Sequence, residues 1–469
     1  MLNNMVDESL VPILSVGNEY ETPSVSTRLS ATINSNDLND TQSGGQSSVR
    51  TTTTCLAAIF LTVNATLGAG LLNIPHAFND SGGILCSLVI QTIFLIFIIG
   101  SLILLSHCAD ISQATSLQDI VLAFCGYKCQ QFCSIIIILY SYGACITFVI
   151  IIGDQFDRIF LSLYGINFTN HWYLNRNFTM SITCVLFIIP LSFSKQISFL
   201  KNASLLGFST TFYLIFLVIY QYLKSDDQMV WVKTRPNTWT EIFYITPVLS
   251  FSYQCQLSWV PTYAGMKHRV GSVKVILTII ASLVICYVSY TLTAIFGLLT
   301  FGSDYIENDL MSNYDANNWI VLIAILTLIA KTITVYPLLL FCGRVAVEDF
   351  IQMISQRINR TATLCTNWSH FEPYRRSIIV LTWIMSTIVM AINVPNITIA
   401  IQFLGSFATI FVFIFPAICF LKAVLIKDKY LYLIKDKFYA FIASIYIIIG
   451  VFILGLTVTA TIDKYLLKL

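Results

Sequence analysis

The chain contains eleven apolar runs, most of them close to the 20 or so apolar residues that a membrane-spanning helix needs. Only 11% of the 469 residues are charged, against about 25% in soluble proteins, so most of the chain has to lie in lipid. We therefore expect an all-α multi-pass membrane protein with eleven transmembrane helices. The runs lie at about 53–78, 83–107, 131–154, 179–194, 202–223, 241–264, 273–301, 319–342, 377–395, 398–421 and 438–462.

The two ends of the chain are polar. Residues 1–51 are rich in Ser, Thr and Asn and lack the apolar region of a signal peptide, so we expect a disordered cytosolic tail there. A transmembrane domain in contact with membrane lipids is expected over 52–462, and a short tail over 463–469. The N-terminal tail is where we expect any cytosolic partner, and we expect no nucleic acid partner. The thirteen cysteines lie mostly in apolar runs or inner loops, which predicts buried thiols and no structural disulfide.

The distribution of Lys and Arg among the loops sets the orientation. With the N-terminus in the cytosol, the inner loops carry sixteen basic residues, and the outer loops and C-terminal tail carry seven. We therefore expect a cytosolic N-terminus and a lumenal or extracellular C-terminus. Two N-x-T sequons, at Asn167 and Asn177, fall in an outer loop and predict glycosylation. An inner-loop stretch, "SLQDIVLAFCGY", has the spacing of one helix face and predicts a short interfacial helix.

Two of the apolar runs are interrupted. In the first, Gly68 and Gly70 flank Ala69 in mid-membrane; in the sixth, Pro247 and Pro261 bracket a polar centre, "SYQCQ". Small residues alone also serve close helix packing. However, a matching pair of interrupted helices in the two halves of a chain points to a transporter site. The two runs are five apart, which predicts two inverted repeats of five helices with helices one and six broken.

Unwinding of these helices has chemical consequences. Freed N–H groups at the start of a half-helix bind an anion such as a carboxylate, and freed carbonyls bind an ammonium group or a cation. Together the two kinds of group recognise a free α-amino acid. Glycine at Gly68 and Gly70 leaves the backbone open to such a ligand.

Four stretches carry a resemblance to a known family. The sequences "VNATLGAGLLNIPHAF", "FVIIIGDQFDRI", "FSYQCQLSWVP" and "VYPLLLFCGRVAVE" resemble the sodium-coupled neutral amino acid transporters of the amino acid/auxin permease family, most of all its lysosomal glutamine-transporting branch. The resemblance covers about residues 52–462. It implies a LeuT-like fold of five-plus-five inverted repeats with one extra helix, working by alternating access. It also implies no organic cofactor, Na⁺ or H⁺ as the coupling ion, and a lysosomal or plasma membrane location.

The resemblance also implies site residues. Asn64 and Thr334 would form the cation site with nearby carbonyls, and no other metal is implied. Tyr142 is either a wall of the substrate site or an aromatic packing residue. Gln256 stands where close relatives have His, and Ser252 where Gly is usual. The implied substrate-binding residues are Gly68, Ala69, Gly70, Tyr142, Phe251, Ser252, Tyr253, Gln254 and Gln256.

Lys331 lies near the middle of the eighth run, where a charge is costly and usually marks an ion or substrate pathway. It is one turn before Thr334, on the same helix face. It is either neutral and inert, or exposed to a water-filled vestibule, or its ammonium group takes the place of sodium among the carbonyls and Thr334. We favour the last interpretation. Such a lysine can also couple transport to protons.

These features predict a secondary transporter of neutral L-amino acids, with glutamine and asparagine favoured and Na⁺ or H⁺ as the coupling ion. The alternative in the same class is a proton-coupled or sodium-independent transporter in which Lys331 replaces Na⁺. The alternative of another class is an amino-acid-sensing receptor that acts through the N-terminal tail. An enzyme is not expected, because the spans have no His/Cys/carboxylate cluster with metal spacing.

Overall fold

The computed structural model describes residues 53–165, 171–193, 197–225, 230–267, 270, 272–358, 372–394, 397–427 and 434–465. The predicted N-terminal tail and the sequon at Asn167 lie outside these residues. The described residues are helical except for their connections and one β-bridge between Thr53 and Met266. The helices are α1 Cys55–Thr66, α2 Gly70–Asp80, α3 Ile84–Ser112, α4 Leu117–Cys125, α5 Tyr127–Tyr164, α6 Arg176–Phe193, α7 Ile197–Lys224, α8 Ile245–Ser252, α9 Gln256–Ala264, α10 Val273–Tyr305, α11 Trp319–Ile358, α12 Glu372–Asn393, α13 Ile397–Leu425 and α14 Ile434–Tyr465.

The all-α multi-pass architecture is confirmed. Within the described residues, nine helices are long and apolar enough to cross a membrane, and a tenth span results if α1 and α2 are counted together. The sixth predicted run consists of two short helices, α8 and α9, separated by a break. Each of the eleven runs thus has a helix or a helix pair, while the count of eleven spans itself stays a prediction.

Local sequence explains several helix ends. The predicted inner-loop helix is present as α4, where the hydroxyl of Ser116 accepts a hydrogen bond from the backbone N–H of Asp119. Gly126, with φ of 80°, separates α4 from α5. The second sequon places Asn177 in the exposed first turn of α6.

Helix packing places the two interrupted runs next to one another. The long helices α5 and α11 lie along each other, and α8 packs against α13. The helix α10 contacts both α1 and α2, so it lies beside both halves of the first interrupted run. Five-residue π-helical turns interrupt α6 at Cys184–Ile188 and α13 at Ile410–Ile414, a deviation that is frequent at functional sites.

Candidate functional site

The first break lies between Thr66 and Gly70, where α1 and α2 are bent by 60°. The N–H of Leu67 still bonds to the carbonyl of Val63 at 2.8 Å, and the helix ladder then stops. A Cβ on Gly68 would meet no atom closer than the carbonyl oxygen of Thr66, at 3.9 Å. No neighbouring side chain therefore covers the backbone at Gly68, and the predicted ligand binding there stays a prediction.

The second break lies between Ser252 and Gln256. The backbone N–H of Cys255 donates to Gln256 Oε1 at 3.1 Å, a bond between the residue before α9 and the first residue of that helix. The N–H of Gln254 donates to the carbonyl of Phe251 at 3.3 Å. Ser252, Gln254 and Gln256 are all buried. The polar centre of the sixth run is therefore a non-helical segment inside the protein.

The two breaks touch each other. A Cβ on Gly70 would lie 2.0 Å from Ser252 Oγ and 3.1 Å from Ser252 Cα. Glycine is needed at position 70 because α2 packs directly on the end of α8, which is a different reason from the ligand access that the sequence suggested. Ala69, between the two glycines, is also buried.

A tyrosine hydroxyl links the breaks. Tyr290 Oη in α10 lies 2.8 Å from the carbonyl oxygen of Thr66 and 2.9 Å from that of Ser252, and the side chain is completely buried. Its ring packs at a centroid distance of 5.1 Å against Tyr253, whose hydroxyl accepts a hydrogen bond from Gln91 Nε2 at 2.8 Å. The sequence analysis missed Tyr290; the only local signal is a tyrosine in an apolar helix, which needs a partner for its hydroxyl when it is buried.

The ammonium group of Lys331 lies at the first break. Its Nζ donates to the backbone carbonyl of Leu67 at 2.9 Å and to Thr211 Oγ1 at 2.7 Å, and the side chain is only 6% exposed. Thr211 in turn donates to the carbonyl of Gly207 at 2.9 Å. Leu67 is the C-cap residue that follows α1, so the ammonium group meets the negative end of that helix dipole. The sequence analysis missed Thr211, because nothing local distinguishes it from the other hydroxyl residues of α7.

The other two predicted cation-site residues, Asn64 and Thr334, lie at different places relative to the Lys331 ammonium group. Asn64 and Lys331 both lie beside Gly207, since a Cβ on Gly207 would lie 2.8 Å from Asn64 Oδ1 and 3.8 Å from Lys331 Cε. Thr334 donates its hydroxyl proton to the carbonyl of Lys331 at 2.8 Å, within its own helix. Asn64 and the lysine therefore lie together at the break, and the Thr334 hydroxyl is engaged one turn further along α11.

Three polar atoms at the second break are buried and have no hydrogen-bond partner among the described residues: Ser252 Oγ, Gln254 Nε2 and Gln256 Nε2. A buried polar group without a partner costs about 1–3 kcal/mol, so such groups are rare unless a ligand satisfies them. Three such atoms within five residues leave this segment with unused hydrogen-bonding groups that an acceptor-bearing ligand would satisfy.

Aromatic side chains border the second break. The rings of Phe251 and Tyr140 have centroids 6.2 Å apart, and Tyr140 packs edge-on against Phe411 in the π-helical turn of α13 at 5.6 Å. Tyr142, which the sequence analysis named, packs instead against Trp383 of α12 at 5.3 Å. Residues two apart on a helix point in nearly opposite directions. Which of the two tyrosines borders the second break therefore depends on the face of α5 that is turned toward it, and sequence alone did not fix that face.

No group of three or more His, Cys, Asp or Glu residues suited to a metal ion occurs among the described residues. The oxygens that the structure places at the first break, Leu67 O, Thr211 Oγ1 and Asn64 Oδ1, are all uncharged. Two helix breaks that meet in the middle of a multi-pass helical protein, with these oxygens at one of them, are typical of a membrane transporter.

Comparison with known proteins gives the family. A sequence model of the family described as "Transmembrane amino acid transporter protein" matches residues 51–463. The chain is 35% identical over 421 residues to Sodium-coupled neutral amino acid transporter 7 of Danio rerio, with 88% of each chain covered. It is 36% identical over 384 residues to the protein of the same name from Homo sapiens, with 80% of each covered. The chain therefore belongs to the transmembrane amino acid transporter family, among relatives named as sodium-coupled neutral amino acid transporters.

One further relative and one solved structure are also similar to this chain. Solute carrier family 38 member 8 of Mus musculus is 31% identical over 376 residues, which cover 80% of this chain and 86% of that protein. The crystal structure of MhsT in complex with L-phenylalanine superposes with a TM-score of 0.47 and 12% identity, covering 88% of this chain and all of that one.

Proposed function

We propose that the chain is a secondary transporter of neutral L-amino acids with a side-chain amide, glutamine or asparagine, which it moves by alternating access. The observation that carries this is the set of unpartnered donors at the second break, Gln254 Nε2 and Gln256 Nε2. The carbonyl oxygen of a substrate amide accepts hydrogen bonds from such groups. A site that satisfies a substrate amide rejects analogues that leave its own buried groups unpaired.

The rest of the substrate fits the first break. The open backbone at Gly68 lies at the start of α2, where freed N–H groups attract a carboxylate. Phe251 and Tyr140 supply an apolar border for the methylene groups of the side chain. The residues described at the two breaks include no carboxylate, and their one cation, Lys331, already has two acceptors. This supports a neutral substrate.

We further propose that the ammonium group of Lys331 takes the place of the coupling cation at the first break. Its support is the pair of oxygen acceptors, Leu67 O and Thr211 Oγ1, with Asn64 nearby beside Gly207. A vestibule role fits less well, because the side chain is 6% exposed. Relatives are named as sodium-coupled, so this chain would differ from them in its ion dependence.

Glutamine uptake into proteoliposomes tests both parts. We would measure it with and without sodium, from acid to neutral pH, for the wild type and Lys331→Ser. Sodium-independent uptake in the wild type that becomes sodium-dependent in Lys331→Ser is the expected result. Uptake that saturates with sodium in the wild type would refute the replacement and leave sodium coupling in place. A wild type that takes up no neutral amino acid would refute the transport proposal itself.

The orientation and the location are also proposals. The bias of basic residues supports a cytosolic N-terminus and a lumenal or extracellular C-terminus. The family resemblance supports the lysosomal or the plasma membrane as the location. Glycosylation at Asn167 or Asn177 would follow from that orientation. Asn167→Gln and Asn177→Gln test it: glycosidase treatment should shift the mobility of the wild type and not that of the double variant. An unshifted wild type would argue against the orientation or the sequons.

A further inference from the structure

Four cysteines from four helices lie near one another where α4 packs against α13. They are Cys108 of α3, Cys125 of α4, Cys133 of α5 and Cys419 of α13. All four are free thiols; Cys125 is partly exposed and the other three are buried. The Sγ atoms of Cys125 and Cys419 are 4.0 Å apart. A disulfide needs about 2.05 Å between the sulfurs, so a shift of about 2 Å brings these two into bonding distance.

The two thiols of this pair are not equivalent. The contact with the Cys419 thiol lowers the pKa of the Cys125 thiol despite its partial burial, and the ammonium group of Lys422 acts in the same direction. The thiolate is the reactive form of cysteine. Cys125 is thus the more exposed and more nucleophilic thiol, and the buried Cys419 is placed to react with it in a second step.

We propose that Cys125 and Cys419 form a reversible disulfide that slows transport when the protein meets a hydroperoxide. The Cys125 thiolate attacks one peroxide oxygen, the O–O bond breaks, and hydroxide leaves and takes up a proton as water. The resulting sulfenic acid is attacked by Cys419, the S–O bond breaks, and the second water leaves with the thiol proton. In total two thiols and one H₂O₂ give one disulfide and two waters. A dithiol reductant reverses the bond by thiol–disulfide exchange.

The position of the pair connects the bond with the transport site. Cys125 is the last residue of α4, and Gly126 joins it to α5 with φ of 80°. The helix α5 carries Tyr140 to the second break, and α13 carries Phe411 to the same place. A covalent link between Cys125 and Cys419 ties the start of α5 to α13 and restricts any motion of one helix relative to the other. The loop that contains α4 is predicted to be cytosolic, where reductants keep such pairs as thiols.

The experiment uses the full-length protein in proteoliposomes and two readouts. Samples treated with H₂O₂ are alkylated, digested without reductant and analysed by mass spectrometry, and substrate uptake is measured in parallel. We expect a peptide pair linked through Cys125 and Cys419, and several-fold slower uptake that dithiothreitol restores. Cys125→Ser should lose the linked peptide and the sensitivity to peroxide. The matched control is Cys129→Ser, which removes an exposed cysteine one turn further along the chain and should change neither readout.

Two results would overturn the proposed disulfide regulation. A wild type whose Cys125 is oxidised by peroxide without a link to Cys419 refutes the pairing, and a link that leaves uptake unchanged refutes the regulation. If Cys125→Ser does not fold, Cys419→Ala gives the same two readouts. The effect on uptake rests on the proposed transport function, whereas the linked peptide does not. A reduced wild type without uptake therefore contradicts the transport proposal, and the mass spectrum still decides on the pair.

Discussion

Replacing Tyr290 by Phe removes one hydroxyl from the point where the two helix breaks meet. That hydroxyl lies 2.8 Å from the carbonyl of Thr66 and 2.9 Å from that of Ser252, with the side chain completely buried. The hydroxyl has a single proton for its two acceptors, so the free-energy cost of one lost hydrogen bond is counted and not two. Removing the partner of a buried polar group costs about 1–3 kcal/mol, which corresponds to about a 5- to 150-fold change in an equilibrium. The conformation in which the breaks meet should become less populated by that factor.

Substrate affinity and turnover, measured separately by equilibrium binding and by uptake, test this reasoning. We expect Tyr290→Phe to weaken glutamine binding within that range, because the hydroxyl that connects the first break with the second is then missing. Tyr287→Phe is the matched control: the same change three residues earlier in α10, at a hydroxyl that pairs with Thr92 on the exposed side at 3.0 Å. It should alter binding little. If Tyr290→Phe lowers only the unfolding temperature and leaves affinity equal to that of Tyr287→Phe, Tyr290 is merely structural and the reasoning fails.

Two further changes are predicted. Gly70→Ala should abolish most uptake, because its Cβ would lie 2.0 Å from Ser252 Oγ and overpacking costs about 1–3 kcal/mol; Ser252→Gly in the same chain should restore part of it, and no restoration would contradict the contact. Burial of Asp309 in the outer loop raises the pKa of its carboxyl, against the opposing charge of Arg158 and hydrogen bonds from Met311 N and Gln155. The folded protein therefore binds the Asp309 proton more tightly than the unfolded chain does. The stability gained from this protonation is fully present below the unfolded pKa of about 4, and it is lost as the pH rises through the higher folded pKa. Asp309→Asn should flatten this part of the pH dependence of the unfolding temperature, and an unchanged slope would count against it.

Sequence alone predicted the positions of the helix interruptions well. Gly68 and Gly70 in mid-run, and the polar segment between Pro247 and Pro261, mark where a helix stops being the best local structure, and the breaks at 67–69 and 253–255 lie there. Such signals are local, because they depend on glycine, proline and polar side chains within one helix. They are therefore readable without any knowledge of which helices are neighbours.

The contacts between helices could not be predicted in the same way. Hydropathy gives the depth of a residue in the membrane, but it gives no information on the direction in which the residue points around the helix axis. For that reason the sequence analysis named Tyr142 and did not consider Tyr140, and it found neither Thr211 nor Tyr290. The partners of Lys331 belong to two other helices, 120 and 264 residues away in sequence. Only the packing of α1, α7 and α11 brings them together.

A tethered ammonium group at the first break has an energetic consequence that a bound ion does not have. A sodium ion enters and leaves with each cycle and so transmits the energy of its gradient, whereas the nitrogen of Lys331 stays attached to α11. If Lys331 keeps its proton throughout the cycle, substrate can only equilibrate across the membrane. If the ammonium group releases its proton on one side and regains it on the other, a pH gradient drives accumulation. The steady-state ratio of internal to external glutamine, measured in proteoliposomes with equal sodium on both sides and an imposed pH gradient, separates the two. A ratio near one indicates a facilitator, and a ratio that follows the pH gradient indicates proton coupling. A second series with equal pH and an imposed sodium gradient is the control: accumulation that responds only to that sodium gradient contradicts both.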